Sequence, residues 1–188
     1  AAVCTGGAAV VSDRAQKAKN VQRAFLGAME TQMQIGCYPS ETGSPADLTE
    51  RERTELQTAY TSRVEQYYTE ENPCRKRYIA LNEDFLTACD SDVEYSESGG
   101  VADCRFDSVR LYADRMTAVV QAQTVVWDKR ISGNPEQGFS VELPVNRDTI
   151  TATMKKENGV WKLDSIDSQI SLSAAVSADD EVCRERYP

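Results

Sequence analysis

Residues 149–166 read TITATMKKENGVWKLDSI and contain the clearest structural signal in the chain. Up to Met154, polar and apolar residues alternate, which is typical of a β-strand with one buried face. The pair Asn158-Gly159 favours a two-residue hairpin turn, because both turn positions need a positive φ. Apolar residues return at Val160, Trp161 and Leu163. The stretch therefore predicts an antiparallel hairpin at the end of a sheet.

The chain that leads into this hairpin also has the two-residue period of β-structure. The expected elements are a strand over residues 104–112, a turn at 113–115, a long and bent central strand over 116–130, a turn at 132–135, and a strand with Phe139, Val141, Leu143 and Val145 alternating. The acidic segment before them, residues 90–100, contains serine and glycine. We expect it to be the loop that joins the helices to the sheet.

The first half of the chain has helical periodicity and predicts three helices. The first should cover residues 12–35, the second should begin between residues 44 and 49, and the third should begin at Pro73. Thr49 and Glu52 have the spacing of a capping box, and Asn72 before Pro73 is a cap followed by a first-turn proline. The expected apolar stripes are Ala18, Val21, Phe25, Met29 and Met33, then Leu56, Tyr60, Val64 and Tyr67 or Tyr68, then Tyr78, Leu81, Phe85 and Cys89.

Helices followed by strands predict an α+β fold, with N-terminal helices packed against a curved, mainly antiparallel sheet. Residues 156–167, KENGVWKLDSID, resemble the closing strands of nuclear transport factor 2-like domains, which often end in a strand of the type G-x-W-K-I-D. The order of elements over residues 46–170 is similar to that family as well. The resemblance implies a cone of helices wrapped by a bent sheet, often with an internal pocket. It implies no single function, because the fold hosts isomerases, dehydratases, transport factors and scaffold domains.

The expected organisation has three parts. Residues 1–45 form an N-terminal tail and helix, residues 46–170 form the α+β domain, and residues 171–188 form a C-terminal tail tied by Cys183. The first eleven residues are small and apolar. They suit a mature N-terminus left by signal peptidase, or the outer end of a membrane anchor that precedes Ala1. They could also serve as an assembly segment that adds a strand to a neighbour or docks in its groove.

Six cysteines and no histidine among 188 residues indicate an exported protein. Cytosolic proteins keep their thiols reduced, and the cysteines here lack the close pairs of zinc and thioredoxin-type sites. The chain has no Asn-x-Ser/Thr glycosylation acceptor, which favours a bacterial source. We therefore expect an extracytoplasmic protein, secreted or on the cell surface. The net charge of −9 argues against a nucleic-acid partner, because phosphate binding needs a basic face.

The cysteines predict disulfide bonds, and six of them allow 15 connectivities. The disulfide candidates are Cys4, Cys37, Cys74, Cys89, Cys104 and Cys183. The expected order of elements favours Cys89 with Cys104, Cys37 with Cys74, and Cys4 with Cys183. Two alternatives stay open for Cys4, which can remain unpaired or can pair between molecules.

The absence of histidine excludes every mechanism that needs an imidazole base or ligand. No glycine-rich phosphate loop is present, and the acidic run at Asp90, Asp92 and Glu94 lacks the glycine and the final carboxylate of an EF-hand. We therefore expect no metal and no cofactor. An aspartate base with a tyrosine donor needs no histidine and remains open. The candidates are Asp107, Asp128, Asp164 and Glu142 as acids, with Tyr60, Tyr67, Tyr68, Tyr78 and Tyr112 as donors.

Three functions fit these observations. The first is a non-catalytic extracytoplasmic binding or assembly module, either soluble or the ectodomain of a membrane-anchored protein, with a protein partner or a small apolar ligand. The second is a structural subunit of a surface filament or envelope assembly that uses the N-terminal segment and forms homo-oligomers. The third is a small-molecule isomerase or dehydratase with an Asp/Tyr pocket.

Overall fold

A computed structural model describes residues 6–38, 47–87, 95–134 and 138–170 of this chain. Within these residues, three helices come first and five strands follow, as the sequence predicts. The helices are α1 (Gly6–Met33), α2 (Glu50–Tyr67) and α3 (Pro73–Thr87), and the strands are β1 (Tyr95–Leu111), β2 (Thr117–Asn134), β3 (Gly138–Glu142), β4 (Val145–Glu157) and β5 (Val160–Ile170).

All strand pairs of the sheet are antiparallel, in the order β1-β2-β4-β5, with β3 paired to β2. The long strand β2 is central, because it pairs with β1 on one side and with both β3 and β4 on the other. The register between β1 and β2 shifts three times, which bends and twists these two strands. The expected α+β class, with helices packed against an open antiparallel sheet, is confirmed.

The local signals in the sequence produce the structures that they predict. Asn158 and Gly159 have φ values of 51° and 83°, as a two-residue hairpin turn requires. At the start of α2, the Thr49 side chain accepts a hydrogen bond from the backbone nitrogen of Glu52, and the Glu52 carboxylate accepts one from that of Thr49 at 2.8 Å. At the start of α3, Asn72 Oδ1 accepts a hydrogen bond from the nitrogen of Cys74 at 2.8 Å.

The hydrophobic core lies between α1 and the inner face of the sheet. Val21, Phe25 and Met29 are buried, as the stripe of the first helix predicts, and Ala18 and Met33 are half-buried. The ring of Phe25 meets the ring of Phe106 edge-on, with centroids 5.8 Å apart. The sheet contributes alternate residues of its strands: Ala118, Val120, Ala122, Ile150, Ala152, Met154, Trp161 and Leu163. Helix α1 is therefore part of the same core as the strands.

Several expected boundaries were wrong. Helix α1 begins at Gly6 rather than residue 12, and Ala8 and Ala9 favour this extension. Strand β1 begins at Tyr95, so residues 95–100 of the expected loop are strand. The alternation from residue 139 to 145 spans two strands, because it is interrupted at Pro144, which has no N–H for a sheet hydrogen bond.

Several expectations fall on residues outside the described ranges. They concern residues 1–5, the acidic run at 90–94, Pro135 and the tail at 171–188. Residues 132–134, expected as part of a turn, instead belong to β2 and pair with β3, so that prediction was wrong. Residues 6–11 of the small apolar segment belong to α1, so the structure has them as helix rather than as a strand available to a neighbour. Within the described ranges, no helix combines the length and the apolar character needed to cross a membrane.

Candidate functional site

A groove of about 530 Å³ lies between the helices and the first part of β1. One wall is a single face of α2, formed by Leu56, Ala59, Tyr60 and Arg63. These four positions have the spacing i, i+3, i+4 and i+7, which places their side chains on one side of a helix. The volume is within the range of small-molecule sites.

The rest of the groove comes from four other elements. Helix α3 supplies Asn82 and Leu86, the turn after α1 supplies Gln34 and Cys37, β1 supplies Glu97, Ser98 and Gly99, and β2 supplies Lys129. Leu86 and the α2 residues Leu56 and Ala59 make part of the lining apolar. The polar side chains lie around them, so the groove is amphipathic.

Asn82 holds the helices around the groove in place. Its Oδ1 accepts a hydrogen bond from the backbone nitrogen of Gly36 at 3.1 Å, and its Nδ2 donates to Gln57 Oε1 at 2.7 Å. Only 4% of Asn82 is exposed. One buried amide thus connects the turn after α1 with α2 and α3, which fixes the distance between the walls.

Gly99 allows β1 to approach the end of α1 closely. A Cβ at this position would lie 2.4 Å from the carbonyl oxygen of Met33. The nitrogen of Tyr38 donates to the carbonyl oxygen of Ser96 at 2.8 Å, which ties the segment after α1 to the same strand. The end of α1 and the start of β1 therefore form one joined edge of the groove.

The charged residues of the groove give it a small positive excess. Lys129 forms an ion pair with Glu97, which is the one carboxylate among the lining residues. Arg63 donates a hydrogen bond to the neutral amide oxygen of Gln34. The lining thus carries two cations and one carboxylate, on a chain whose net charge is −9.

Tyr60 presents a buried hydroxyl without a partner. The residue is 5% exposed, and its hydroxyl oxygen has no hydrogen-bond partner among the described residues. Burial raises the pKa of Tyr60, and nearby Tyr78 and Cys37 raise it further, while the charge of Arg63 lowers it. The hydroxyl stays protonated at neutral pH. Buried polar groups are nearly always hydrogen-bonded, so this one points to an external partner such as a ligand or an ordered water.

Cys37 lines the same groove with a thiol that stays protonated. Burial, with a smaller contribution from the charge of Asp128, raises the pKa of Cys37 to about 12. Its Sγ donates to the carbonyl oxygen of Met33 at 3.3 Å. Because the thiolate is the nucleophilic form, this cysteine is a poor nucleophile at neutral pH.

We expect native Cys37 to react with iodoacetamide at pH 8 about a thousandfold more slowly than a free peptide thiol, because its thiolate fraction is smaller by that factor. The rate should rise about tenfold per pH unit between pH 7 and 10. The same pKa predicts that the folded state loses stability as pH rises from about 9 toward about 12, since only the unfolded chain releases this proton there. Peptide mapping by mass spectrometry measures the rate at Cys37 separately.

Urea-unfolded protein without reductant is the control for that experiment. The unfolded thiol should react at the rate of a free peptide. A native rate equal to that of the free peptide would contradict the assigned pKa. A residue that stays unreactive after unfolding would show a disulfide at Cys37.

The structure does not form the expected bond between Cys37 and Cys74. Both residues, and Cys104, carry free thiols. The turn at Gly36 is bonded to Asn82, and Cys74 lies eight residues before Asn82 on α3, about 12 Å along the helix axis. A disulfide needs Cα atoms within about 7 Å of each other. Because the Cys104 thiol is free, the expected bond between Cys89 and Cys104 is not formed either. Cys4 and Cys183 lie outside the described residues, so their pairing stays a prediction.

The four acidic candidates are not gathered in one pocket. Asp128 is 9% exposed and accepts a hydrogen bond from Arg130 Nε at 2.7 Å, while its Oδ1 is buried without a partner among the described residues. Asp164 accepts from Thr69 and pairs with Lys155 at 2.9 Å. The other two, Asp107 and Glu142, are exposed on β1 and β3.

Of the five tyrosine candidates, only Tyr60 lines the groove. Tyr68 donates its hydroxyl to the carbonyl oxygen of Ala28 at 2.7 Å, and its ring meets that of Tyr78 edge-on at 5.5 Å. The ring of Tyr67 packs against Gly27, and Tyr112 is 48% exposed. These four side chains serve packing or lie at the surface. Among the described residues, no three His, Cys, Asp or Glu side chains are placed to hold a metal ion.

Sequence reasoning missed Arg63, Glu97 and Lys129 as parts of one site. Arg63 could have been found, because it lies three residues after Tyr60 on α2, where the two side chains are neighbours. Glu97 fell in a segment expected to be a loop, and Lys129 gave no signal of its own. Their proximity depends on the pairing of Ser98 with Lys129 across β1 and β2.

Comparison with known proteins identifies a shared fold and no family. No protein-family model matches the chain, and no curated protein matches it. Among solved structures, the chain is similar to the intermembrane space region of the chloroplast protein ARC6, with a TM-score of 0.51 and 14% sequence identity. The alignment covers 82% of this chain and 97% of that one. At this identity the likeness concerns the fold alone, and the nuclear transport factor 2-like resemblance stays a prediction.

Proposed function

We propose that this chain is a non-catalytic extracytoplasmic binding module that holds its ligand in the groove between α2, α3 and β1. The unpartnered hydroxyl of Tyr60, 5% exposed at the wall of the groove, carries this proposal. Of the two ligand classes expected from the sequence, the groove volume of about 530 Å³ favours a small organic molecule over a protein surface.

The chemistry of the groove favours binding over catalysis. A general acid or base works best when its pKa lies near the working pH. The pKa of Cys37 is raised to about 12 by burial, and burial raises that of Tyr60 as well. The one lining carboxylate, Glu97, is engaged with Lys129. The groove can therefore donate hydrogen bonds and bury apolar surface, while none of its described lining groups is ready to move a proton.

The extracytoplasmic location rests on composition and on the structural likeness. Six cysteines without histidine suit an oxidising compartment, although the three described cysteines carry free thiols. The similar ARC6 region belongs to an intermembrane space, which is in line with a domain that works outside the cytoplasm. An upstream membrane anchor, homo-oligomers and a bacterial source stay predictions.

The test uses ligand-observed NMR with a panel of neutral, cationic and anionic organic fragments. Ala59→Trp places an indole in the groove, and Ala80→Trp places the same group at an exposed position of α3 as the matched control. We expect saturation-transfer signals with the wild type and with Ala80→Trp, and their loss with Ala59→Trp. Fragments that bind equally to both variants would place the ligand site elsewhere.

The same panel also tests the absence of catalysis. It should include a small ketone, a lactone and a steroid-like compound, each incubated with the protein and followed by mass spectrometry. We expect every compound to remain unchanged. A product that forms with the wild type but not with Tyr60→Phe would contradict the proposal that the module is non-catalytic.

A further inference from the structure

We propose that the groove binds free monocarboxylates with an apolar body, and that Arg63 and Tyr60 hold the carboxylate. This inference rests on the proposed function, because it names the ligand class of the same groove. It assigns the polar end and the apolar end of the groove to the two ends of one molecule.

The groove offers apolar side chains against which the apolar part of the ligand can pack. Leu56 and Ala59 on α2 and Leu86 on α3 line the groove, and the buried Asn82 amide connects the two helices. Contact with these side chains removes apolar surface of both ligand and protein from water, which favours an alkyl chain over a polar body. The cavity is large enough for a chain of about eight carbons.

The carboxylate has two donors on one helix face. Tyr60 and Arg63 are separated by three residues, so their side chains are neighbours on α2. Both side chains line the groove, so both can reach one bound group. Tyr60 remains protonated and can donate, and a guanidinium donates to a carboxylate through a charge-assisted hydrogen bond.

The charge balance of the groove selects an anion. Glu97 and Lys129 neutralise each other, and Arg63 is bonded to a neutral amide. An anion adds the missing negative charge, whereas an alkyl ammonium would bring a second uncompensated cation beside Arg63. A neutral alcohol could bond to Tyr60 but would gain nothing from the guanidinium. We therefore expect the carboxylate to bind most tightly, the alcohol less tightly and the amine least.

Isothermal titration with three probes of equal length tests this order: octanoate, octan-1-ol and octan-1-amine. With the wild-type chain, octanoate should bind about tenfold more tightly than octan-1-ol. This ratio corresponds to the free energy of one charge-assisted hydrogen bond. Arg63→Gln should remove this preference and leave the affinity for octan-1-ol unchanged. Tyr60→Phe should weaken the binding of octanoate about fivefold, because it removes one neutral hydrogen-bond donor.

Arg110→Gln is the matched control, because Arg110 is exposed on β1 and does not line the groove. It should bind all three probes like the wild type. Equal affinity of the wild type for octanoate and octan-1-ol, lost with Ala59→Trp, would overturn the carboxylate inference and leave the binding module standing. No binding of octanoate at all would also overturn the inference, and the fragment panel then decides on the proposed function by itself.

Discussion

Replacement of Phe25 by alanine should lower the free energy of unfolding by about 3–5 kcal/mol. Phe25 is fully buried on α1, and its ring meets Phe106 of β1 edge-on. The substitution removes the apolar contacts of the ring and leaves a cavity between helix and sheet that neighbours fill only in part. The effect should be among the largest for a single side chain, because Phe25 joins the two layers of the fold.

Urea denaturation followed by circular dichroism measures this change. Leu81→Ala on α3 is the control, because Leu81 is 40% exposed, and it should cost less than about 1 kcal/mol. A cost below about 1 kcal/mol for Phe25→Ala would mean that α1 does not pack on the sheet as described. The groove would then lose one of its edges, since the turn after α1 supplies Gln34 and Cys37.

Gly99→Val should destabilise the fold by about 3 kcal/mol, the upper end of the cost of overpacking. A Cβ at position 99 would lie 2.4 Å from the carbonyl oxygen of Met33 and 3.2 Å from that of Trp127. Both obstacles are backbone atoms, which cannot rotate away as a side chain can. Relief requires the end of α1 and the start of β1 to separate, and the same separation opens the edge of the groove.

Gly100→Ala is a control in the same strand. Its Cβ would meet the indole of Trp127 at 3.3 to 3.7 Å, so a small movement of one side chain can accommodate it. We expect it to cost less than about 1 kcal/mol. Thermal and urea unfolding of the two variants should separate them clearly. Equal stability of Gly99→Val and wild type would falsify the close approach between α1 and β1.

The features that could be predicted from sequence are those governed by neighbours in the chain. The turn at Asn158-Gly159 needs only two residues that accept a positive φ, and the cap at Thr49 needs only Glu52 three residues on. The stripe of Val21, Phe25 and Met29 follows from helical geometry. Each of these signals lies within a few residues, so tertiary contacts had little opportunity to override it.

The groove could not be predicted because its parts are distant in the chain. Glu97 lies on a strand that begins in a segment rich in serine and glycine, which reads as a loop. Its partner Lys129 comes near only through the β1–β2 register, which shifts at the first bulge between Ser96 and Ser98. A period-two pattern predicts that a strand is present, but it does not predict where the register with the neighbouring strand shifts. The bond expected between Cys37 and Cys74 was wrong because the sequence does not give the distance between the two residues. Cys74 lies too far along α3 from the point where the turn after α1 contacts that helix.

The location of the ligand is the central claim, and chemical-shift mapping tests it most directly. Two-dimensional amide spectra of the labelled wild-type chain would be recorded while the strongest binder of the fragment panel, or octanoate, is added. We predict the largest shifts at Gln34, Ser98, Gly99 and Lys129, around the groove, with the distant turn at residues 113–115 unaffected. Shifts concentrated at that turn, or none at the groove with any fragment, would contradict the account.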